Sequence, residues 1–223
     1  MVSIIIPTYN EAGNIRKLVP EIFKHNVNSE IIIVDDNSPD GTARVAEDLG
    51  KWFTVRVVKR PRKMGLGSAV IEGFRHAKSD IIGVMDADFS HPPEKIPELV
   101  KALRDCDIAI GSRNVKGGGI ENWPLKRRLM SKGATWIARI LTSVKDPMSG
   151  FFFMKKPVIN GVKLETKGYK ILMEILVKGR YKRVREIPYI FRDRQDGESK
   201  LDRGEMGDYF KTVSKLWWKK VRG

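Results

Sequence analysis

Five short runs of apolar, largely β-branched residues constrain this chain more than anything else in it. Val2–Ile6, Glu30–Val34, Phe53–Val58, Asp80–Met85 and Asp107–Ile110 read as strands, with amphipathic segments near 12–24, 41–49, 66–77 and 93–104 between them. Strands with one wet face alternate polar and apolar residues. Several of these do not, as expected of a mostly parallel sheet covered by helices on both faces. The repeated strand–helix order predicts right-handed crossovers and an α/β, Rossmann-like layer. Ligands of such a sheet sit beyond the carboxyl ends of its strands. The informative residues are therefore those directly after Ile6, Val34, Val58, Met85 and Ile110.

The second half is less regular. Gly117-Gly118-Gly119 reads as a flexible loop, and residues 124–142 as a basic amphipathic helix opened by Pro124. Asp146–Gly150 is turn-rich and leads into a strand at Phe151–Met154. A helix near 169–178, one or two strands near 181–192, a polar loop at 193–204 and a basic helix at 205–220 follow. Charge divides the same way. Residues 1–110 hold 15 basic and 16 acidic side chains, residues 111–223 hold 27 and 11. The basic half seeks an anionic partner: nucleic acid, phosphorylated small molecules or an anionic membrane surface. A single cysteine, Cys106, excludes an intramolecular disulfide and a Cys-based zinc site. No stretch approaches the roughly 18–20 apolar residues of a membrane-spanning helix, and the N-terminus lacks the shape of a signal peptide.

Although the first half is charge-balanced, its acidic groups converge on one sheet edge. Strand one is followed by Pro7-Thr8-Tyr9-Asn10-Glu11, strand two by Asp35–Thr42, and strand four by Asp86-Ala87-Asp88. Crowded carboxylates repel, and a bound cation resolves the conflict. Asp86 and Asp88 can aim two hard oxygen ligands at one Mg²⁺ or Mn²⁺, ions that commonly bridge carboxylates to substrate phosphates. An isolated Asp-x-Asp is more often a turn or helix cap; its place after a central strand favours the metal. Asn37 to Gly41 are turn formers, which leaves Asp36 as the better ligand-contacting carboxylate. Tyr9 can stack on a base while Glu11 contacts a base edge or ribose. Gly65 and Gly67 suit close backbone approach at a helix start, with Arg60, Arg62 and Lys63 near enough to meet an anion. The missing third glycine argues against a dinucleotide-binding loop there. His91 closely follows the Asp pair and is placed to orient that loop.

These motifs, with Gly111-Ser112-Arg113 and Asp146-Pro147-Met148-Ser149-Gly150-Phe151-Phe152, resemble family 2 glycosyltransferases of the GT-A fold, and among them the dolichyl- or polyprenyl-phosphate mannose synthases. The resemblance runs from residue 2 to about 203. It implies one GT-A domain over 1–223: a nucleotide-sugar half (1–111), an acceptor half (112–204) and a basic amphipathic C-terminal helix (205–223). It further implies a nucleotide pocket of Pro7, Tyr9, Glu11, Val34 and Asp36, and places Asp86, Ala87 and Asp88 at the metal and donor diphosphate. Ser90 stands where some members carry a Gln ligand, and its shorter hydroxyl would reach the ion through water. Arg113, Arg194 and Lys200 match cations around the donor phosphates, Lys167 and Gly168 belong to the same group, and Arg127 and Ser131 match acceptor-phosphate positions. Asp88, Arg113 and Arg127 are the expected catalytic residues.

The implied reaction is metal-dependent, inverting transfer of mannose from GDP-mannose to dolichyl or polyprenyl phosphate at the cytoplasmic face of a membrane. Some members of the family carry transmembrane helices and others rely on an anchoring partner subunit. The basic–aromatic stretches at 124–142 and 211–222 suit the headgroup region of a bilayer. Two alternatives are a hexosyltransferase that uses a UDP-sugar, and a basic nucleic-acid-binding protein. The second leaves the acidic strand-end loops without a purpose, and no nucleic-acid motif accompanies the charge, so nucleic acid is not an expected partner.

Overall fold

The computed structural model describes residues 1–121, 133, 135, 136, 138–165 and 171–192. In chain order the described elements are β1 (Val2–Thr8), α1 (Ala12–Lys24), β2 (Ser29–Asp35), α2 (Thr42–Leu49), β3 (Val55–Lys59), α3 (Leu66–His76), β4 (Ile81–Val84), α4 (Ile96–Ala102), β5 (Ile108–Ser112), β6 (Gly119–Glu121), β7 (Phe152–Lys155), α5 (Ile171–Lys178), β8 (Val184–Pro188) and β9 (Ile190–Arg192). Seven strands form one sheet in the order β3-β2-β1-β4-β7-β5-β8, while β6 and β9 form a small parallel pair. Within the main sheet only β7 runs against its neighbours, β4 and β5.

The continuous apolar runs are explained by two cores, one on each face. Ile4 and Ile6 of β1 pack with Ile15, Leu18 and Ile22 of α1 and Leu99 of α4. Ile5 points the other way, to Val70 and Phe74 of α3 and Ile171 and Ile175 of α5. Successive strand residues serve opposite faces, and with both faces covered neither set can be polar.

Two expectations change. The segment at 93–104 is a 3₁₀ turn, Pro93–Lys95, followed by α4; Pro92, Pro93 and Pro97 remove backbone donors and restrict the preceding residues, so a regular helix cannot begin earlier. The glycine run is not a loose loop. Gly119 opens β6, and a Cβ on Gly118 would lie 2.5 Å from the Ser112 carbonyl oxygen, so glycine is needed for the close crossing of two backbones. The main sheet also continues across residue 111 through β7, β5 and β8. The expected helix at 205–220 and most of that at 124–142 lie outside the described residues.

Candidate active site

The carboxyl ends of β1, β2 and β4 form a common edge. Pro7 and Val34 are register partners there, as are Thr8 and Asp35. Val34 is fully buried, so its part is to set the height from which Asp35 and Asp36 emerge. Asp35 is a turn builder: it accepts hydrogen bonds from the Thr8 hydroxyl at 3.0 Å, the Ser38 hydroxyl at 2.5 Å and the Ser38 N–H at 2.9 Å. The two loops are then latched together. Asn10 N–H donates to Ser38 Oγ, Glu11 N–H to Thr42 Oγ1, and Ala12 N–H to Asp40 Oδ2.

Asp36 is committed to the loop before α3. Its Oδ2 accepts from the N–H groups of Met64 and Gly65 at 3.0 and 3.2 Å. Oδ1 lies 2.7 Å from Arg60 Nη1, an ion pair without a well-aligned hydrogen bond, and both side chains are only 6% exposed. Arg60 also reaches Ser68 Oγ at 2.6 Å. The expectation that Arg60 meets an external anion therefore gives way to a buried structural pair. Lys63 instead stands over the Tyr9 ring, its Nζ 4.3 Å from the centroid, a cation–π geometry. Glu11 Oε2 accepts from Asn14.

Positive φ marks the same edge. Of the four described non-glycine residues with this geometry, Asn10, Asn37 and Phe89 follow β1, β2 and β4. Asn tolerates the left-handed region, but a bulky Phe pays about 1–2 kcal/mol for it. The turn that holds Phe89 is built by Asp88, whose Oδ1 accepts from Ser90 N–H at 3.1 Å and from the Ser90 hydroxyl at 2.6 Å. Ser90 is 2% exposed. It braces Asp88 from the protein side.

Asp86, with a side chain 30% exposed, is held by a residue from the same loop. Its N–H donates to Nδ1 of His91 at 2.9 Å, which puts the imidazole proton on Nε2. The His91 ring stacks on Phe151 with centroids 5.2 Å apart and meets Tyr189 and Phe191 edge-on. His91 thus orients the Asp-x-Asp loop, as its position suggests. The 146–150 turn closes from the other side, where a Cβ on Gly150 would stand 3.1 Å from His91 Cε1 and 3.5 Å from Asp86 Oδ2. Among the described residues no group of three or more His, Cys, Asp or Glu gathers as a metal cage. Two partly exposed carboxylates still fit Mg²⁺ or Mn²⁺, which take one or two protein carboxylates and complete their shell with phosphate and water.

Arg113 leaves the end of β5 beside this pair. Its Nε and Nη2 bind Asp146 Oδ2 and Oδ1 at 2.8 and 2.7 Å, a two-point fork on a carboxylate with no exposure. Burial opposes its charge, but hydrogen bonding and attraction from Asp146, with further pull from Tyr189 and Asp86, raise its pKa above even the usual guanidinium value. Arg113 Cζ also lies 5.6 Å from the Phe191 ring centroid. The Tyr189 phenol, 2% exposed, has its pKa raised by burial. Glu186, Tyr189 and Phe191 carry no motif of their own around them; Asp146 opens the 146–152 motif, which gave no sign that its carboxylate binds Arg113. Arg127, Ser131, Lys167, Gly168, Arg194 and Lys200 lie outside the described residues.

Glycosyl transferase family 2, as a sequence family, matches residues 3–162. The chain belongs to this family. Within it, the chain is 49% identical over 222 residues to a dolichol-phosphate mannosyltransferase of Pyrococcus furiosus, covering 96% of this chain and 63% of that one. It thus spans less than two thirds of that archaeal relative's length. Proteins of the same name from Saccharomyces cerevisiae and Mycosarcoma maydis are 37% and 39% identical, again over 96% of this chain and over 86% and 78% of theirs. Among solved structures, glucosyl-3-phosphoglycerate synthase from Mycobacterium tuberculosis, in complex with Mn²⁺ and UDP, matches with TM-score 0.70 and 18% identity, over 99% of this chain and 79% of that one. Mannosyl-3-phosphoglycerate synthase from Rubrobacter xylanophilus gives 0.67 and 18%, over 100% and 74%. The family 2 chain therefore has the GT-A fold, with a mostly parallel sheet between helices.

Proposed function

We propose that this family 2 glycosyltransferase moves mannose from GDP-mannose to the phosphate of a dolichyl or other polyprenyl carrier, at the cytoplasmic face of a membrane. The observation that carries the reading is the 49% identity to a dolichol-phosphate mannosyltransferase, sustained across 96% of this chain. The site chemistry supports it. An acceptor phosphate is already anionic at neutral pH, so no general base is required. The protein must instead hold two anions together and align them for in-line displacement at the anomeric carbon, with inversion.

The roles divide accordingly. Pro7, Tyr9, Glu11, Val34 and Asp36 frame the nucleotide end, and Asp86 and Asp88 would hold Mg²⁺ or Mn²⁺ against the diphosphate. A bound ion there supplies charge neutralisation for the leaving diphosphate. Arg113, Arg194 and Lys200, with Lys167 and Gly168, serve the donor phosphates, while Arg127 and Ser131 serve the acceptor phosphate. Trp136 and Ile140, 70% and 56% exposed, support a membrane-facing side. No helix among the described residues is long and apolar enough to cross a bilayer; the basic–aromatic stretches are the part of this chain that we propose meets the membrane.

The decisive test is a donor panel on a short polyprenyl phosphate with defined metal: GDP-mannose against UDP-glucose and other nucleotide sugars. Mannosyl transfer from GDP-mannose, dependent on Mg²⁺ or Mn²⁺, is expected. Turnover of UDP-glucose in preference would replace this reading with a polyprenyl-phosphate hexosyltransferase.

A further inference from the structure

Glu186 lies on β8 and belongs to none of the motifs, yet three donors converge on its carboxylate. Ser112 Oγ and the Asp146 N–H reach Oε1 at 2.8 and 3.0 Å, and the Lys145 N–H reaches Oε2 at 2.9 Å. Ser112 immediately precedes Arg113, and Lys145 precedes Asp146. One carboxylate thus fixes both backbones that present the Arg113–Asp146 pair. Asp146 then accepts three bonds from Arg113: from its backbone N–H at 2.9 Å and from Nε and Nη2 of the fork. Asn114 adds a cross-tie, its Nδ2 donating to the Lys145 carbonyl at 3.1 Å.

This arrangement is more than a turn needs. A guanidinium on a flexible side chain can occupy many rotamers. Here one edge of it is locked to a buried carboxylate, and Nη1 is the terminal nitrogen that the fork does not use. Asp146 is turned inward and fully engaged, so it acts through Arg113 and not on substrate. Charge-assisted, two-point bonds of this kind set direction as well as strength.

We propose that Asp146 and, behind it, Glu186 are positioning residues that aim the Arg113 guanidinium at the donor's phosphate groups. The substrate side of this statement rests on the function proposed above; the relay itself does not.

The test uses Glu186→Gln and Asp146→Asn, each alone and each combined with Arg113→Ala. Transfer is measured at saturating donor, and hydrogen exchange at the Arg113 Nε–H is followed by NMR. Outer-shell losses of about 10–100-fold are typical where a supporting group is removed. The expected fall in kcat is about a hundredfold for Asp146→Asn and about tenfold for Glu186→Gln, with donor KM changed less than threefold, and Nε–H exchange at least about tenfold faster in both. Over Arg113→Ala, neither variant should cost more than a further twofold. An equal loss in the Arg113→Ala background would mean that these residues act elsewhere, and unchanged Nε–H exchange would overturn the relay outright. Should Asp146→Asn not fold, the near-isosteric Glu186→Gln decides alone. If the wild-type protein transfers nothing from GDP-mannose, the functional reading fails while the exchange rates still judge the relay.

Discussion

Carboxylates are hydrogen-bonded into both flanks of the same sheet edge, but the two flanks hold them differently. After β1 and β2, Asp35 and Asp40 take local backbone N–H and hydroxyl donors, and Asp36 adds the buried Arg60 and the 64–65 backbone. On the other flank Asp146, before β7, and Glu186, on β8, tie together segments 33 to 74 residues apart, with a guanidinium at the centre. Between the flanks stand Asp86 and Asp88, partly exposed. The contrast teaches that acidic residues at a strand-end edge do not all belong to the chemistry. Those on the flanks build the walls, and under the function proposed above the two in the middle are the ones that would meet a metal and a diphosphate.

That division can be broken most sharply at Asp88. Asp88→Asn keeps an Oδ1 able to accept from Ser90 but weakens the charge offered to a cation. Transfer should fall about a thousandfold, while denaturant-measured stability stays within about 0.5 kcal/mol of wild type. Undiminished transfer in Mg²⁺ or Mn²⁺ would remove Asp88 from the reaction, and a large loss of stability would make it another wall residue.

Asp36→Ala should behave in the opposite way. It strands the Arg60 charge in a buried site and uncaps the Met64 and Gly65 N–H groups, at a cost of about 3–5 kcal/mol. A shift of the urea midpoint with unchanged slope measures this. A stability change below about 1 kcal/mol would mean that the pair is not a wall and that Asp36 is held for its ligand.

The smallest effect is expected at Asp40, which caps α2 through Thr42 and pins Ala12 of α1. Asp40→Ala should cost about 1 kcal/mol, as for other lost caps. Partial desolvation pulls the Asp40 pKa up, but the hydrogen bonds from Thr42 and Ala12 outweigh it and leave the value lowered. A carboxyl with its folded-state pKa depressed stabilises fully above its unfolded value and loses that contribution as pH falls through the folded one. The difference in Tm between wild type and variant should therefore be constant near neutrality and close below about pH 4. A gap that persisted in acid would show that the carboxylate charge is not what caps the helix.

The two flanks also differ in how far the sequence disclosed them. Asn37–Gly41 are turn residues by type, and the turn's own bonds, from Ser38 to Asp35 and from Thr42 to Asp40, lie two or three positions apart, so local pattern is enough to assign the turn and to single out Asp36; the latches to Asn10 and Ala12, 28 positions away, are not legible in it. Even there, the pattern places Arg60 as an anion-binding residue, because sequence cannot say whether a cation faces solvent or a carboxylate 24 positions upstream. The apolar strand runs exposed the covered parallel sheet for the same local reason, and α1 falls on its predicted limits. The reversed direction of β7 was not legible, since an apolar run of four residues looks alike in either direction. Nor was Glu186, whose three partners come from β5 and the 145–146 turn. Ser90 shows a subtler limit: its place in the motif suggests at most a water-mediated contact with the ion, and nothing in the pattern tells that its hydroxyl lies 2.6 Å from Asp88 Oδ1.

Because β7 runs against its neighbours, the edge gathers chain arriving at a strand as well as chain departing from one. Arg113 departs and Asp146 returns, and the fork between them ties the two ends of the segment together. A segment closed in this way can change in length without shifting the register of any main-sheet strand. Doubling the length of such a closed segment adds only about 0.6 kcal/mol of closure entropy. The strand-end loops after β1, β2 and β4 and the segment that runs from Arg113 to Asp146 can therefore vary separately, with the fork as the seam between them.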